Sequence, residues 1–429
     1  MKRKHEQDSI SSNVEDNDDL LQLSMTFDHY NSNDQQTIVL PTGEPVTKEQ
    51  LLLKVIDLHP NKANAYFKLA AILKTENRSS IILSSGRSMT QQQLYLLAIE
   101  CDPTNSRSYH NLAKTLSSGE SIKLNDGQSM TEQQLYLKSI EYDPTNSDSY
   151  YNLAMTLSSG ESITVNNGKS MTEQQLYLKS IECDPTDSDS YNNLATTLSI
   201  GESITLNDGQ SMTVQQLYLK SIECDPKDSD SYFNLAMTLS SGESITPNDG
   251  QSMTVQQLYL KSIECDPTNS NSYNNLANIL SNGESITLNN GQSMTRQQLY
   301  LKSIECDPTN YRSYYNLATT LSIGESITLN NSQSMTKKQL YLKAIECNPT
   351  DSGSFFHLGV TLSQYETIKL QNDVRMTKQQ ILMESLRLGQ QLRSVYRFIG
   401  LTLLNNKKKI TLPNGGQMTR RQLLQKARE

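Results

Sequence analysis

The 429-residue sequence contains no long apolar run, and its net charge is −8. A helix that crosses a membrane needs about 20 mostly apolar residues, so no transmembrane segment is predicted. The opening Met1-Lys2-Arg3-Lys4 is not followed by an apolar stretch, so no secretory signal is predicted either. We therefore expect a cytoplasmic protein, although the basic tetrad leaves a nuclear address open.

The sequence also lacks the motifs of catalysis and of metal binding. It contains no phosphate-binding G-x-x-x-x-G-K, no H-E-x-x-H and no nucleophile elbow. Its 5 histidines and 6 cysteines are too scattered to supply tetrahedral ligand sets. The sequence thus predicts a protein that is not an enzyme, with no catalytic residue, no metal site and no cofactor.

What fills the sequence instead is one string of residues that recurs along most of the chain. The prolines that close each copy fall 41 residues apart, at Pro103, Pro144, Pro185, Pro226, Pro267, Pro308 and Pro349. A fixed period in this range is typical of a stacked array of repeats rather than of a single-core globule. Residues 145–185 serve below as the reference repeat.

The reference repeat predicts a helix, a hairpin and a second helix. The first helix follows from one apolar stripe at helical spacing, formed by Tyr150, Leu153, Ala154 and Leu157. Asp148 or a neighbouring serine is expected to cap its start, and Gly160 is expected to end it after about three turns.

The hairpin and the second helix follow from local signals. Ile163, Val165 and Met171 have strand spacing around Asn166-Asn167-Gly168, which suits a three-residue loop. Thr172 and Gln175 form a capping box that opens the second helix. Asp184-Pro185 is predicted to end that helix.

These residues resemble the tetratricopeptide repeat (TPR). The family's first-helix signature is matched by Tyr150, Leu153, Ala154 and Leu157, and its second helix and closing turn by Tyr177, Ser180 and Pro185. The family period is 34, so about seven extra residues lie in the hairpin. The small residue expected early in the second helix is replaced by Glu173 and in other copies by Val214, Arg296 or Lys337.

The resemblance implies a mainly α fold, a TPR-like α-solenoid that forms a superhelix, with a short β-hairpin in each repeat. A Sel1-like repeat is the structural alternative. We expect a disordered tail over residues 1–19 and a degenerate N-terminal half-repeat cap over 20–60, with its hairpin around Gly43. Eight repeats should follow over 61–390. A basic capping repeat is then expected over 391–429, a segment with nine basic residues and a single acid, Glu429.

The six cysteines share one repeat position, at Cys101, Cys183, Cys224, Cys265, Cys306 and Cys347. Other copies place Leu58, Tyr142 or Leu388 there, which indicates packing rather than chemistry. Equivalent positions of stacked repeats should lie beyond the Cα separation of about 7 Å that a disulfide tolerates. Free thiols are therefore expected.

The best functional signal is a row of asparagines on the first helices, off the apolar stripe: Asn111, Asn152, Asn193, Asn234, Asn275 and Asn316. A variable position precedes each one, and includes His110, Tyr151, Phe233 and Tyr315. The resemblance implies that first helices line a concave groove and that this row hydrogen-bonds an extended peptide. Local contacts of the asparagines are the alternative reading.

Two functions remain open at this point. One is a non-enzymatic scaffold that binds a protein or peptide segment in the groove, with selectivity from the variable position. The other is a structural or self-assembling array, which the near-identity of the middle repeats favours. The net negative charge of the chain argues against a nucleic-acid partner. The basic C-terminal repeat could nevertheless contact an acidic partner. The oligomeric state is left open.

The hairpin spacing leads to one further expectation. Two strands take up about 9.6 Å, close to the 8–10 Å between packed helices, so neighbouring hairpins are predicted to pair into a ribbon. Pro247, which lacks a backbone N–H, should mark a weak point.

Overall fold

The computed structural model describes residues 37–39, 45–165, 168–240, 242–247, 250, 252–370, 374–389, 393–405 and 409–428. The predicted tail at 1–19, the first part of the predicted N-terminal cap (20–36) and the loop around Gly43 lie outside these residues. The chain forms two compact bodies, an N-terminal body that ends at Thr213 and a C-terminal body that begins at Val214. Each body is a series of helices and two-stranded hairpins.

The helices of the N-terminal body are α1 (Lys48–Leu58), α2 (Ala63–Thr75), α3 (Gln91–Cys101), α4 (Ser106–Ala113), α5 (Glu132–Tyr142), α6 (Ser147–Met155), α7 (Glu173–Cys183) and α8 (Ser188–Thr196). Its strands are β1 (Thr37–Val39), β2 (Pro45–Thr47), β3 (Ser80–Ile82), β4 (Ser88–Thr90), β5 (Ser121–Lys123), β6 (Ser129–Thr131), β7 (Ser162–Thr164), β8 (Ser170–Thr172), β9 (Ser203–Thr205) and β10 (Ser211–Thr213).

The helices of the C-terminal body are α9 (Val214–Cys224), α10 (Ser229–Met237), α11 (Val255–Cys265), α12 (Ser270–Ile279), α13 (Arg296–Cys306), α14 (Tyr311–Thr320), α15 (Lys337–Cys347), α16 (Ser352–Thr361), α17 (Lys378–Arg387), α18 (Arg393–Thr402) and α19 (Arg420–Lys426). Its strands are β11 (Ser244–Ile245), β12 (Met253–Thr254), β13 (Ser285–Thr287), β14 (Ser293–Thr295), β15 (Ser326–Thr328), β16 (Ser334–Thr336), β17 (Thr367–Lys369), β18 (Arg375–Thr377), β19 (Lys409–Thr411) and β20 (Gln417–Thr419).

The first helix of the reference repeat is α6, in which Tyr150, Leu153 and Ala154 are buried as predicted. Leu157, the fourth residue of the predicted stripe, is half-buried and lies after the end of the helix. The cap of α6 differs from the prediction. Asn146 is the N-cap, and its side-chain oxygen accepts a hydrogen bond from the backbone N–H of Ser149 at 3.1 Å. Asp148 lies inside the first turn, and a capping side chain must precede the helix.

The end of the first helix also differs from the prediction. Helix α6 ends at Met155 because the Thr156 backbone N–H bonds the carbonyl of Leu153 at 3.1 Å, in a tighter turn, and the Thr156 hydroxyl donates to the same carbonyl at 2.7 Å. Gly160 has φ +84°, but it lies in the next turn, where the Glu161 N–H donates to the Ser158 carbonyl at 2.9 Å. The left-handed glycine therefore shapes a turn after the helix rather than the helix end.

The loop predicted at Asn166-Asn167-Gly168 includes two residues that lie outside the described ones, but the equivalent loop of β5–β6 has the three-residue form. It consists of Asn125-Asp126-Gly127, where Gly127 has φ +93°. The Gly127 N–H donates to the Leu124 carbonyl at 3.0 Å, and the Leu124 N–H donates to the Gln128 carbonyl at 2.8 Å. Two right-handed residues followed by a left-handed glycine close such a loop.

Neighbouring hairpins do not form a ribbon, so that prediction was wrong. Each of the ten hairpins is a separate two-stranded sheet, and among the described residues no strand pairs outside its own hairpin. A hairpin instead contacts the second helix of the preceding repeat, as where Asn207 Nδ2 donates to Glu182 Oε2 at 2.6 Å. The same contact joins Asn125 to Glu100, Asn289 to Glu264 and Asn330 to Glu305.

The physical reason lies in the length of the strands and in the charge of the helix. Strands of three residues expose few edge groups that need partners. The amide–carboxylate bond to the helix is charge-assisted and therefore stronger than a neutral backbone bond. The hairpin that contains Pro247 is the shorter one expected, since β11 and β12 pair over only two residues each.

The second helices match their prediction. Helix α7 begins with the Thr172–Gln175 capping box, in which the Thr172 N–H donates to Gln175 Oε1 at 3.0 Å. Cys183 Sγ lies 3.6 Å from the carbonyl of Pro144, the closing proline of the preceding repeat. Burial raises the pKa of the Cys183 thiol, so the cysteine acts as a packing residue between repeats, as predicted.

Candidate interaction face

The first-helix face is the side of the first helices that carries the asparagine row and the variable position. All six asparagines are half-buried. Several bond the preceding repeat: Asn193 Nδ2 donates to Tyr151 Oη at 2.8 Å, and Asn316 Nδ2 donates to Asn274 Oδ1 at 3.0 Å. The row therefore does make contacts within the protein.

These contacts do not exhaust the hydrogen-bonding capacity of the amides. Asn152 Nδ2 donates to the Asp148 carbonyl of its own helix at 2.7 Å, and Asn275 Nδ2 lies 3.0 Å from Met237 Sδ. A side-chain amide has two N–H donors and an oxygen that accepts two bonds, so the bond of Asn152 uses one of its two donors. The Asn275 Nδ2 also lies 3.3 Å from Tyr259 Oη, and the Asn275 Oδ1 accepts a bond from Asn274 Nδ2 at 3.0 Å, which leaves this oxygen one acceptor site for a ligand.

The aromatic residues of the variable position pack on the tyrosine of the second helix in the same repeat. The ring centroids lie 5.9 Å apart for Tyr151 and Tyr177, 5.9 Å for Phe233 and Tyr259, and 5.8 Å for Tyr315 and Tyr341. The three variable rings remain partly accessible. They form the rigid, aromatic part of the first-helix face.

His110 occupies the same position but is buried, with 6% of its surface exposed. Its Nδ1 lies 3.0 Å from Ser149 Oγ, and its ring centroid lies 5.6 Å from that of Tyr136. Burial lowers the pKa of His110 to about 4, with smaller effects from Asp148, which raises it, and from Lys114, which lowers it. The structure thus places His110 in the packing between repeats and not at the accessible surface.

A cavity of about 690 Å³ opens on the first-helix face of the C-terminal body. It is lined by Met237 from the first helix, Val255 and Tyr259 from the following second helix, and Asn275 and Asn278 from the next first helix. Met237 is 53% exposed, and its sulfur accepts a hydrogen bond from Tyr259 Oη at 3.2 Å. The start of the second helix therefore belongs to the same face as the asparagine row.

Sequence reasoning missed the Met237, Val255 and Tyr259 positions. The departure of the early second-helix residue from the family pattern was the available signal, since Val255 is one of the residues that replace the small one. A further cavity of about 750 Å³ lies on the hairpin side, among Leu342, Phe355, Met376 and Arg387.

Across the part of the chain that the structure describes, no helix is both long and apolar enough to span a membrane. Within the same residues, no three histidine, cysteine or acidic side chains are grouped so that they could hold a metal ion.

The repeat geometry described above is that of a family of protein-interaction modules. The tetratricopeptide repeat model matches seven successive segments, 94–134, 135–175, 176–216, 217–257, 258–298, 299–339 and 340–390. The chain belongs to the tetratricopeptide repeat family. This assignment settles the choice against the Sel1-like alternative, and the family supports a protein-interaction scaffold.

Solved structures similar to this chain are also TPR proteins. One is the crystal structure of YrrB, described as a TPR protein with an unusual peptide-binding site, at 15% identity and TM-score 0.31, with 52% of this chain and 96% of YrrB covered. Another is yeast Tom70, at 13% identity and TM-score 0.33, with 90% of this chain and 66% of Tom70 covered. No curated protein matches the sequence.

Proposed function

We propose that this TPR protein is a scaffold that binds an extended segment of a partner protein along its first-helix face. The observation that carries the proposal is the asparagine row, which recurs once per repeat and stays half-buried beside accessible rings. An amide bonds a peptide backbone whatever its side chains are, so the row supplies affinity. Tyr151, Phe233 and Tyr315 supply contact area that differs between repeats and thus selectivity.

The cavity at Met237 gives the proposal a concrete docking point. Its lining combines a flexible thioether, a tyrosine hydroxyl and two amides, Asn275 and Asn278. Ligand sites typically pair apolar walls with a few polar groups that fix orientation, and methionine adapts its shape to different side chains.

A self-assembling array is the second candidate, favoured by the near-identity of the middle repeats. The strands of the separate hairpins are three residues or fewer, so their edges offer few backbone groups through which copies could join. Light scattering of the purified chain measures it directly. A concentration-dependent mass without any bound partner would favour this candidate over the scaffold.

The deciding experiment replaces Asn193, Asn234 and Asn275 together by alanine. A pull-down with the full chain identifies a partner, and calorimetry then measures its affinity for both proteins. Each lost hydrogen bond should cost about 0.5–1.5 kcal/mol, so the affinity should fall at least about tenfold. Alanine favours helix, so circular dichroism should not change.

A matched control replaces three hairpin asparagines, Asn207, Asn289 and Asn330, by alanine. These residues bond the second helices and lie off the first-helix face. The control should keep its partner affinity within about twofold, since no ligand contact is removed. Full affinity in the first-helix variant, or equal losses in both variants, would overturn the proposal.

A further inference from the structure

Two columns of residues on the first-helix face change charge along the chain. The first column is the opening residue of each second helix from α3 onward: Gln91, Glu132, Glu173, Val214, Val255, Arg296, Lys337, Lys378 and Arg420. The second column lies four residues before the asparagine row: Arg107, Asp148, Asp189, Asp230, Asn271, Arg312, Gly353 and Ser394. The first column carries Glu132 and Glu173 in the N-terminal body, and Arg296, Lys337, Lys378 and Arg420 in the later repeats of the C-terminal body. The second column begins with Arg107, continues with Asp148, Asp189 and Asp230, and has one cation, Arg312, in the later repeats.

Contacts place both columns beside the asparagine row. Val255 lines the same cavity as Asn275. Arg296 Nε donates to Tyr300 Oη at 3.4 Å, and that hydroxyl donates to Asn278 Oδ1 at 2.7 Å. In the second column, a Cβ added at Gly353 would lie 3.7 Å from Tyr315 Cε2, the ring of the variable position.

The cations of these columns have neutral hydrogen-bond partners. Arg296 Nη1 donates to Asn282 Oδ1 at 3.2 Å, Lys337 Nζ to the Leu321 carbonyl at 2.7 Å, and Lys378 Nζ to the Leu362 carbonyl at 2.7 Å. The ion pairs of this region, among the described residues, involve other lysines and arginines: Lys302–Glu305, Lys338–Glu366, Lys343–Glu346 and Arg387–Glu384. Among the described residues, Arg296, Lys337 and Lys378 therefore form no ion pair, and Glu366 is the acid whose charge acts on Lys378.

Lys337 and Lys378 also have a structural role, because a lysine stabilises the end of the helix whose carbonyl it bonds. That role does not require Arg296 or Arg312. Arg312 is exposed, and its Nε lies 3.3 Å from the Tyr311 hydroxyl of the same helix. Arg312 thus adds a cation to the face in the repeats where the first column is basic, and helix capping does not explain it.

We propose that the first-helix face of the C-terminal body, from Asn271 onward, binds an acidic segment of the partner protein. This inference rests on the proposed function and specifies the chemistry of the ligand. Neighbouring first helices contact each other through the Asn316–Asn274 bond, and the cations of the first column recur once per repeat, so we take their spacing as about the 8–10 Å of packed helices. An extended chain rises about 3.3 Å per residue, so acids at every third position would meet successive cations.

The test uses a labelled peptide of about twelve residues with aspartate at every third position and both termini blocked. Fluorescence anisotropy measures its binding to the full chain at low salt, about 50 mM, where charge pairs are least screened. A peptide of the same sequence with asparagine in place of aspartate should bind at least about tenfold more weakly.

The variant Arg296→Glu with Arg312→Asp introduces residue types that the N-terminal body already carries in the same columns. It should lower the affinity for the acidic peptide at least about tenfold. The control Lys302→Glu with Lys343→Glu makes the same change in net charge on second-helix positions paired with Glu305 and Glu346. The control should change the affinity by no more than about twofold.

Equal losses in the variant and in the control, or no preference for the acidic peptide, would overturn this inference. Neither result would affect the asparagine experiment, which is done with the captured partner itself. If that partner still depends on Asn193, Asn234 and Asn275, the scaffold function stands while the acidic ligand fails.

Discussion

Acidification should destabilise the repeat that contains His110, because this histidine is buried in its neutral form. Burial lowers its pKa from 6.5 to about 4 in the folded protein. The unfolded chain therefore binds the proton more tightly, and stability that is fully present above pH 6.5 is lost as the pH falls toward 4. The linkage relation gives a loss of about 2 kcal/mol at pH 5 and about 3 kcal/mol at pH 4.

The matched variant is His110→Asn, because Asn192 and Asn274 already occupy the same position and are buried. Asparagine does not titrate, whereas all other ionisable groups are shared by the two proteins. Urea unfolding followed by circular dichroism at pH 7.5 and pH 5 gives the stability difference between them. That difference should shift by about 2 kcal/mol in favour of the variant at pH 5.

A second readout locates the effect. Hydrogen exchange of a peptide that covers α4 should quicken at pH 5, after correction for intrinsic rates, in the natural chain more than in the variant. A stability difference that does not change with pH would refute the assignment of a neutral, buried His110.

Three further predictions concern the repeats themselves. Ser332 has φ +68° in a loop where other repeats have glycine, such as Gly291 with φ +85°. In urea unfolding, Ser332→Gly should therefore stabilise the chain by about 0.5–1 kcal/mol, and Gly291→Ser should destabilise it by a similar amount. Changes of the opposite sign would show that the serine backbone is not strained in this loop. Pro247→Leu should supply the missing N–H donor and slow hydrogen exchange of β11 and β12 to the rate of other hairpins; unchanged exchange would show that Pro247 does not limit the pairing. Deletion of Thr268–Pro308, one whole repeat, should leave a cooperatively folded protein by circular dichroism, whereas deletion of half that segment should not; collapse after the clean deletion would contradict nearest-neighbour stacking.

The local structure of the repeat could be predicted because local signals determine it. The stripe of Tyr150, Leu153 and Ala154 predicted the first helix, and the Thr172–Gln175 box predicted the start of the second. The errors at Asn146 and Gly160 arose where several residues compete for one cap or one turn. One or two hydrogen bonds decide such competition, and the residue types alone do not show which of the possible bonds forms.

Contacts between repeats were harder to predict. The bond of Asn207 to Glu182 joins residues 25 apart in sequence. The ribbon was predicted from the spacing of strands and helices alone, which does not show whether this bond or strand pairing is the stronger interaction. Likewise, the sequence shows that the positions of Val255 and Asn275 recur once per repeat, but only the packing of three helices brings them to one cavity. His110 shows the same limit, since a variable position can be accessible in one repeat and buried in another.

The most direct test of the central claim is site-specific photo-crosslinking to the partner that the full chain captures. A photoreactive phenylalanine analogue replaces Tyr151, Phe233 or Tyr315 on the first-helix face, and in control proteins replaces Lys179, Lys261 or Lys343, which pair with glutamates on the second helices. The account predicts partner adducts from the first three positions and none from the control positions. Adducts from the controls, with none from the first-helix face, would contradict it.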